Sequence, residues 1–189
     1  MGLGFYQLMS FEKNLHEIYK SQWGPHTERK INRLIQGMGD PKWSKILAFF
    51  QDDDVFDYSY IQSPSHALCV PEVVPNNEIG FNLYMPMEAP IFTCFFLQIN
   101  FGFSAENTRY TISSSSPDKK FNFILQDVIN HVKNIYPEYQ YVPHHLLFGK
   151  RVDWGVPMGS FEKKEGHFIF EYFFNTFPFS EGDEMVVLE

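Results

Sequence analysis

The spacing of apolar residues changes period near Asp54, and the change separates a helical part of the chain from a sheet-forming part. Phe11, Leu15, Ile18 and Tyr19 recur at helical spacing, with Ser10 expected as the N-cap and Gly24-Pro25 as the stop. Ile31, Leu34, Ile35 and Met38 mark a second helix running to the Gly37 to Gly39 stretch. Asp40-Pro41 has the form of an N-cap followed by proline at the first helical position, so Trp43, Ile46, Leu47 and Phe50 should be the buried stripe of a third helix.

Beyond Asp54 the period becomes two. In Val55 to Ile61, Phe56, Tyr58 and Tyr60 fall on one side; in Ile79 to Met85, Ile79, Phe81, Leu83 and Met85 share a face. Ile91 to Phe101 is apolar on both sides at first and then alternates, as expected of a central strand covered on both faces over its first half. The connections Pro86 to Pro90 and Gly102 to Asn107 are short, so strands 79–85, 91–101 and 108–114 should form an antiparallel meander.

After a polar break at Ser113 to Pro117, Asp118 is expected to cap a helix. Its apolar face would be Phe121, Ile124, Leu125, Val128, Ile129, Val132 and Tyr136, with Gln126, Asp127, Asn130, His131, Lys133 and Asn134 toward water. Further strands are predicted at Tyr139 to Val142, His145 to Val152 and Gly166 to Phe174; in the last, Phe168, Phe170, Tyr172 and Phe174 alternate with His167, Ile169, Glu171 and Phe173. The acidic tail 180–189 is expected to fray. No repeat or linker divides the chain. The reading is one α+β domain over residues 1–189: a helical N-terminal part at about 10–51, then a mainly antiparallel, aromatic-rich sheet with one long helix packed on it at about 55–175.

Composition supports the sheet. Phe is the commonest residue with 21 copies in 189, and Ala and Leu, the usual leaders of helical bundles, do not dominate. The two cysteines, Cys69 and Cys94, lie between apolar neighbours and do not form a disulfide framework; reduced, buried thiols are expected. The N-terminal residues lack the pattern of a signal peptide and the longest apolar run is too short to span a bilayer, so the expected location is cytoplasmic and away from membranes.

Charge changes the picture most. From Ile46 to Thr108 there is no Lys or Arg, while Asp52, Asp53, Asp54, Asp57, Glu72, Glu78, Glu88 and Glu106 carry a charge equal to the whole chain's −8. A block of one sign produces a directional field that repels nucleic acid and attracts basic surfaces, so direct nucleic-acid binding is disfavoured.

No motif predicts catalysis, a cofactor or a metal. His16-Glu17 begins the H-E-x-x-H pattern, but Lys20 stands where the second His is needed. His144-His145, adjacent on an expected strand, would point to opposite sides. Gly159-Ser160-Phe161 lacks the flanks of a nucleophile elbow, and Gly149-Lys150 lacks the rest of a phosphate loop. The expectation is a non-catalytic protein-binding module, an acidic inhibitor or immunity-type protein that neutralises a basic partner such as a toxin nuclease. Its contact residues would be Asp52, Asp53, Asp54, Asp57, Tyr58, Tyr60, Glu72, Glu78 and Glu88, where acids supply steering and aromatics supply anchors. The alternative is a small-molecule-binding protein or enzyme with an aromatic pocket in the sheet, walled by Trp154, His167 and Glu171.

Overall fold

In a computed structural model the described residues are 5–22, 40–51, 53–59, 65–74, 77–87, 89–101, 108–116, 121, 123–155, 157, 166–174 and 183–189. Their helices are α1 (Phe5–Gln22), α2 (Pro41–Phe49), α3 (Leu125–Ile135), α4 (His144–Phe148) and α5 (Ile169–Phe173). Their strands are β1 (Phe56–Asp57), β2 (Ser65–Val74), β3 (Asn77–Pro86), β4 (Ile91–Asn100), β5 (Arg109–Ser113), β6 (Gln140–Tyr141), β7 (Arg151–Val152), β8 (His167–Phe168) and β9 (Glu184–Val187). Seven strands form one sheet in the order β1-β2-β3-β4-β5-β9, with β6 beside the start of β4; β7 and β8 form a separate ribbon. The β2-β3-β4-β5 meander is antiparallel, and β6 and β9 add parallel edges to β4 and β5. The α+β class read from the sequence is thus the class of the structure.

Alternation in β2, β3 and β4 sends buried side chains to both faces, so each face needs its own cover. On one face Leu68, Val70, Phe81, Leu83, Cys94 and Phe96 meet Trp43 and Ile46 of α2, Phe50 just after it, and Val128, Ile129 and Val132 of α3. On the other, Ala67, Tyr84, Phe95 and Ile112 meet Leu15 of α1, Leu147 and Phe148 of α4, and Phe170, Tyr172 and Phe173 of α5. The helices therefore sandwich the sheet. Aromatic contacts dominate both layers: Phe81 lies 4.9 Å edge-on to Phe123 and 5.3 Å from Phe96, while Phe170 lies 5.0 Å edge-on to Tyr84 and 4.6 Å from Phe148. Each such side chain contributes about 1.5–3 kcal/mol through burial, and favourable ring geometry adds about 0.5–1.5 kcal/mol per pair.

Several expectations are corrected. Ser10 lies within α1, which starts at Phe5, and so does not cap it. The second helix, at 31–38, and the Gly24-Pro25 stop fall outside the described residues. Asp40 does cap α2, accepting the Lys42 N–H at 2.9 Å. The strand expected from Val55 shrinks to two residues, and β2 is an added strand whose alternation is interrupted in sequence by Pro71. Proline fits there because, among the described residues, β1 pairs only with Leu68 and Cys69, leaving Pro71 on an edge where a missing N–H breaks no ladder bond.

The later part of the chain differs more. Asp118 lies outside the described residues, and α3 begins at Leu125; Phe121 and Phe123 pack ahead of it, and Ile124 is exposed. His131, expected in water, donates from Nε2 to the Lys45 carbonyl at 3.2 Å and ties α3 to α2. The expected strand 145–152 is the short helix α4 followed by β7, because Pro143 fixes the entry and its carbonyl accepts from Leu146. The expected strand 166–174 is two residues of β8 followed by α5, and all of Ile169 to Phe174 is buried, so no polar side exists to reveal a period.

The tail from Asp183 is not frayed. It forms β9, with Met185 and Val187 against the core, the Leu188 N–H donating to Ile112, and His144 Nε2 donating to the Leu188 carbonyl at 2.6 Å. No described helix is long and apolar enough to cross a membrane. Removing Glu184–Glu189 should cost about 2–4 kcal/mol through lost burial, lowering the melting temperature by about 10 °C. Thermal unfolding followed by circular dichroism checks this; a truncated chain melting with the full one would deny β9 a structural role.

Candidate functional site

The segment without Lys or Arg runs from the end of α2 through β4, and those of its acids that lie among the described residues come to the β1-β2-β3 edge of the sheet. Asp53 and Asp54 lie in the connection entering β1, Asp57 in β1, Glu72 in β2 and Glu78 in β3. Asp54 and Glu78 are exposed, and Asp53 and Glu72 half-buried. Asp52, Tyr60 and Glu88 lie outside the described residues.

The edge is not uniform. Asp57 is committed to the fold: its Oδ2 accepts the Trp43 indole N–H at 3.0 Å and its Oδ1 accepts the Ser59 N–H at 3.0 Å. Tyr58 turns inward, donating to Asn82 Oδ1 at 3.3 Å with its ring edge-on to Tyr84, and burial pushes its hydroxyl pKa far above the ordinary value. Phe56, by contrast, is 63% exposed between Asp54 and Asp57. Outside the block, four acids have basic neighbours: Glu12 with Lys150, Glu17 with Lys20, Glu138 with Lys42 and Glu184 with Arg109.

Behind this edge lies a polar cluster that the sequence reading missed. Asp40 caps α2 through Oδ1, while its Oδ2 accepts the Tyr136 hydroxyl at 2.7 Å and lies 4.0 Å from His66 Nε2. The His66 ring is stacked on Trp43 with centroids 4.5 Å apart. The cluster joins α2, β1, β2 and the end of α3. A histidine between two acids resembles a base and its orienter, but the His66 side chain is only 5% exposed, so it serves the fold. Asp40-Pro41 was visible as a cap; His66 carried no signal because its partners are distant in sequence.

Burial lowers the His66 pKa from 6.5 to about 4 even though Asp40 and Asp57 both act to raise it. The unfolded chain therefore binds a proton on His66 that the folded chain refuses between these values. Stability is fully present above about pH 6.5 and falls as the pH drops toward 4, by about 3 kcal/mol from this group. Urea unfolding across this range should show that loss in the native chain and a flatter profile in His66→Gln; equal slopes would refute the assignment.

Trp154, His167 and Glu171, the expected pocket wall, are drawn together at the other sheet face, but they are not its wet side. His167 and Glu171 are both buried, with Nδ1 and Oε2 3.5 Å apart, and the same Oε2 accepts the Phe168 N–H at 2.8 Å to start α5. The Trp154 N–H donates to the Tyr172 hydroxyl, which in turn lies 2.9 Å from the Gly155 carbonyl and 3.1 Å from that of Val152. Its ring is stacked on His16 of α1 at 4.7 Å. These contacts lock the 152–155 connection onto α1 and α5.

Among the described residues no group of three or more His, Cys, Asp or Glu is arranged to hold a metal ion. The thiols are free, and burial raises both; Cys69, also beside Glu78, is pushed up to about 12 and so is protonated at neutral pH. Comparison with protein-family models, curated proteins and solved structures found no match to this chain.

Proposed function

We propose that this protein is a non-catalytic binding module that neutralises a basic protein, a toxin nuclease being the kind of target its charge suits, through the β1-β2-β3 edge. The observation that carries the reading is the exposure of Phe56 between Asp54 and Asp57, inside a segment with no cation. An aromatic side chain held in water at an acidic edge combines an apolar anchor with a steering field. The aromatic-pocket alternative is the weaker reading, because the Glu171 carboxylate is held by the Phe168 N–H and the Trp154 ring is stacked on His16.

The geometry also selects the residues to change. Asp57 and Tyr58 support the fold, so their substitution would mix stability with binding; Asp54, Phe56 and Glu78 are exposed. The partner is isolated on immobilised wild-type chain, identified by mass spectrometry and purified. Association with it should then slow by about tenfold at about 50 mM salt in Asp54→Ser/Glu78→Ser, with a shallower salt dependence up to about 300 mM. Phe56→Ser should speed dissociation by about tenfold or more. A partner that binds all these variants as it binds the wild type would overturn the proposal.

A further inference from the structure

One cross-strand row at this edge lacks a side chain. Pro71 of β2 is opposite Gly80 of β3, and Gly80 is opposite Leu97 of β4, so the three stand side by side on the face that carries Tyr84 and Phe95. The neighbouring rows are Cys69-Asn82-Phe95 and Val73-Glu78-Ile99. Where Gly80 stands the sheet is hollow, and a cavity of about 100 Å³ opens there, bordered by Cys69, Leu97 and Ile99 with Glu72 and Glu78 beside them. A Cβ at position 80 would come within 3.0 Å of the Cys69 sulfur, so glycine is what keeps the hollow open.

The chemistry of the lining favours one kind of occupant. Leu97, Ile99 and Pro71 supply apolar surface, and none of the bordering residues is Lys, Arg or His. The polar groups are mainly acceptors: the Glu78 carboxylate, and Asn82, whose Nδ2 is already turned to the Gly80 carbonyl and whose Oδ1 faces the Tyr58 hydroxyl. The Cys69 thiol is neutral at physiological pH. An apolar trough beside a carboxylate suits a long aliphatic stem ending in a cation, which buries its methylenes and brings its N–H groups to the acid.

We propose that the Gly80 hollow is a slot for a single arginine or lysine side chain presented by the basic partner. This inference rests on the docking reading above and assigns that surface its specificity pocket. Arginine or lysine entering between β2 and β4 would fix the partner's register on the edge, while Phe56 and Asp54 hold the neighbouring contact.

The test uses the isotopically labelled full chain and capped amino acids as probes. N-acetyl-arginine methylamide should produce saturable shifts at the Gly80, Asn82 and Leu97 amides, and the norleucine analogue, which has the stem without the charge, should not. Glu78→Gln should weaken arginine binding by about tenfold. Gly80→Ala, which narrows the hollow without changing charge, should weaken it to a similar extent; Glu78 is exposed, so its variant keeps the test open if Gly80→Ala does not fold. No saturable shift, or equal binding of norleucine, would overturn the slot. Partner binding weakened by Phe56→Ser but indifferent to Gly80→Ala would also refute the slot while sparing the docking reading. Arginine binding alongside partner binding indifferent to every variant would reject the docking reading alone.

Discussion

The constraint on which this structure depends is that both faces of the β2-β3-β4 sheet must be kept dry. Phe81, Leu83, Cys94 and Phe96 point to one side and Tyr84 and Phe95 to the other, all essentially inaccessible to water. Neither set can be covered by a single helical layer, so α2 and α3 are placed on one face and α1, α4 and α5 on the other. Large rings fill each gap between sheet and helix with few side chains, which accounts for the Phe excess better than strand preference alone. Of the sheet itself, only the edges and the ends of the strands remain for contact with other molecules among the described residues.

The same constraint governs the buried polar groups. Once α2 closes over β2, His66 leaves bulk water beside the half-buried Asp40 carboxylate, and the arrangement holds because Lys42, Tyr136 and Trp43 supply donors to the two acids around it. On the opposite face, Glu171 is held by the Phe168 N–H, and Tyr172 by three backbone groups of the connection it anchors. Buried polar groups of this kind resemble catalytic sets in residue type. Asp40, Asp57, Glu171 and Tyr172 make hydrogen bonds to the chain's own backbone and side chains, and these bonds orient elements of the fold.

How much was legible in the sequence follows from which signals are local. β3, β4, β5 and α2 carry a clear period or a cap next to the element, and they lie where the pattern puts them. β2 was hidden by Pro71, which argues against a strand until it is known that β1 stops short of it. Phe168 to Phe174 is buried on every side, so its apolar residues fit strand and helix equally well. β9 was masked by the acids around Met185-Val186-Val187, whose parallel partner lies more than 70 residues earlier in Arg109 to Ile112. The acidic edge itself was readable by counting charges. Which of its members face outward was not, because Asp57 and Tyr58 find their partners at Trp43 and Asn82, and the hollow at Gly80 depends on the register of three strands.

An open sheet edge ordinarily invites another strand, and this one is built to refuse it. β1 pairs with two residues of β2, Pro71 removes an N–H from the remainder, and Glu72 places a carboxylate beside it. Short pairing, proline and charge are the usual means of blunting an edge. A backbone that cannot extend the sheet leaves side chains as the available contacts, and at this edge they are carboxylates, one exposed phenyl ring and an apolar hollow. At physiological ionic strength the field of the exposed acids fades over about 8 Å, so it can orient an approaching basic surface but holds it weakly. In the docking proposed above, durable binding would come from burying Phe56 and from a cationic side chain whose stem fills the hollow beside Gly80 while its charge meets Glu78 at close range, with the field of the edge supplying direction.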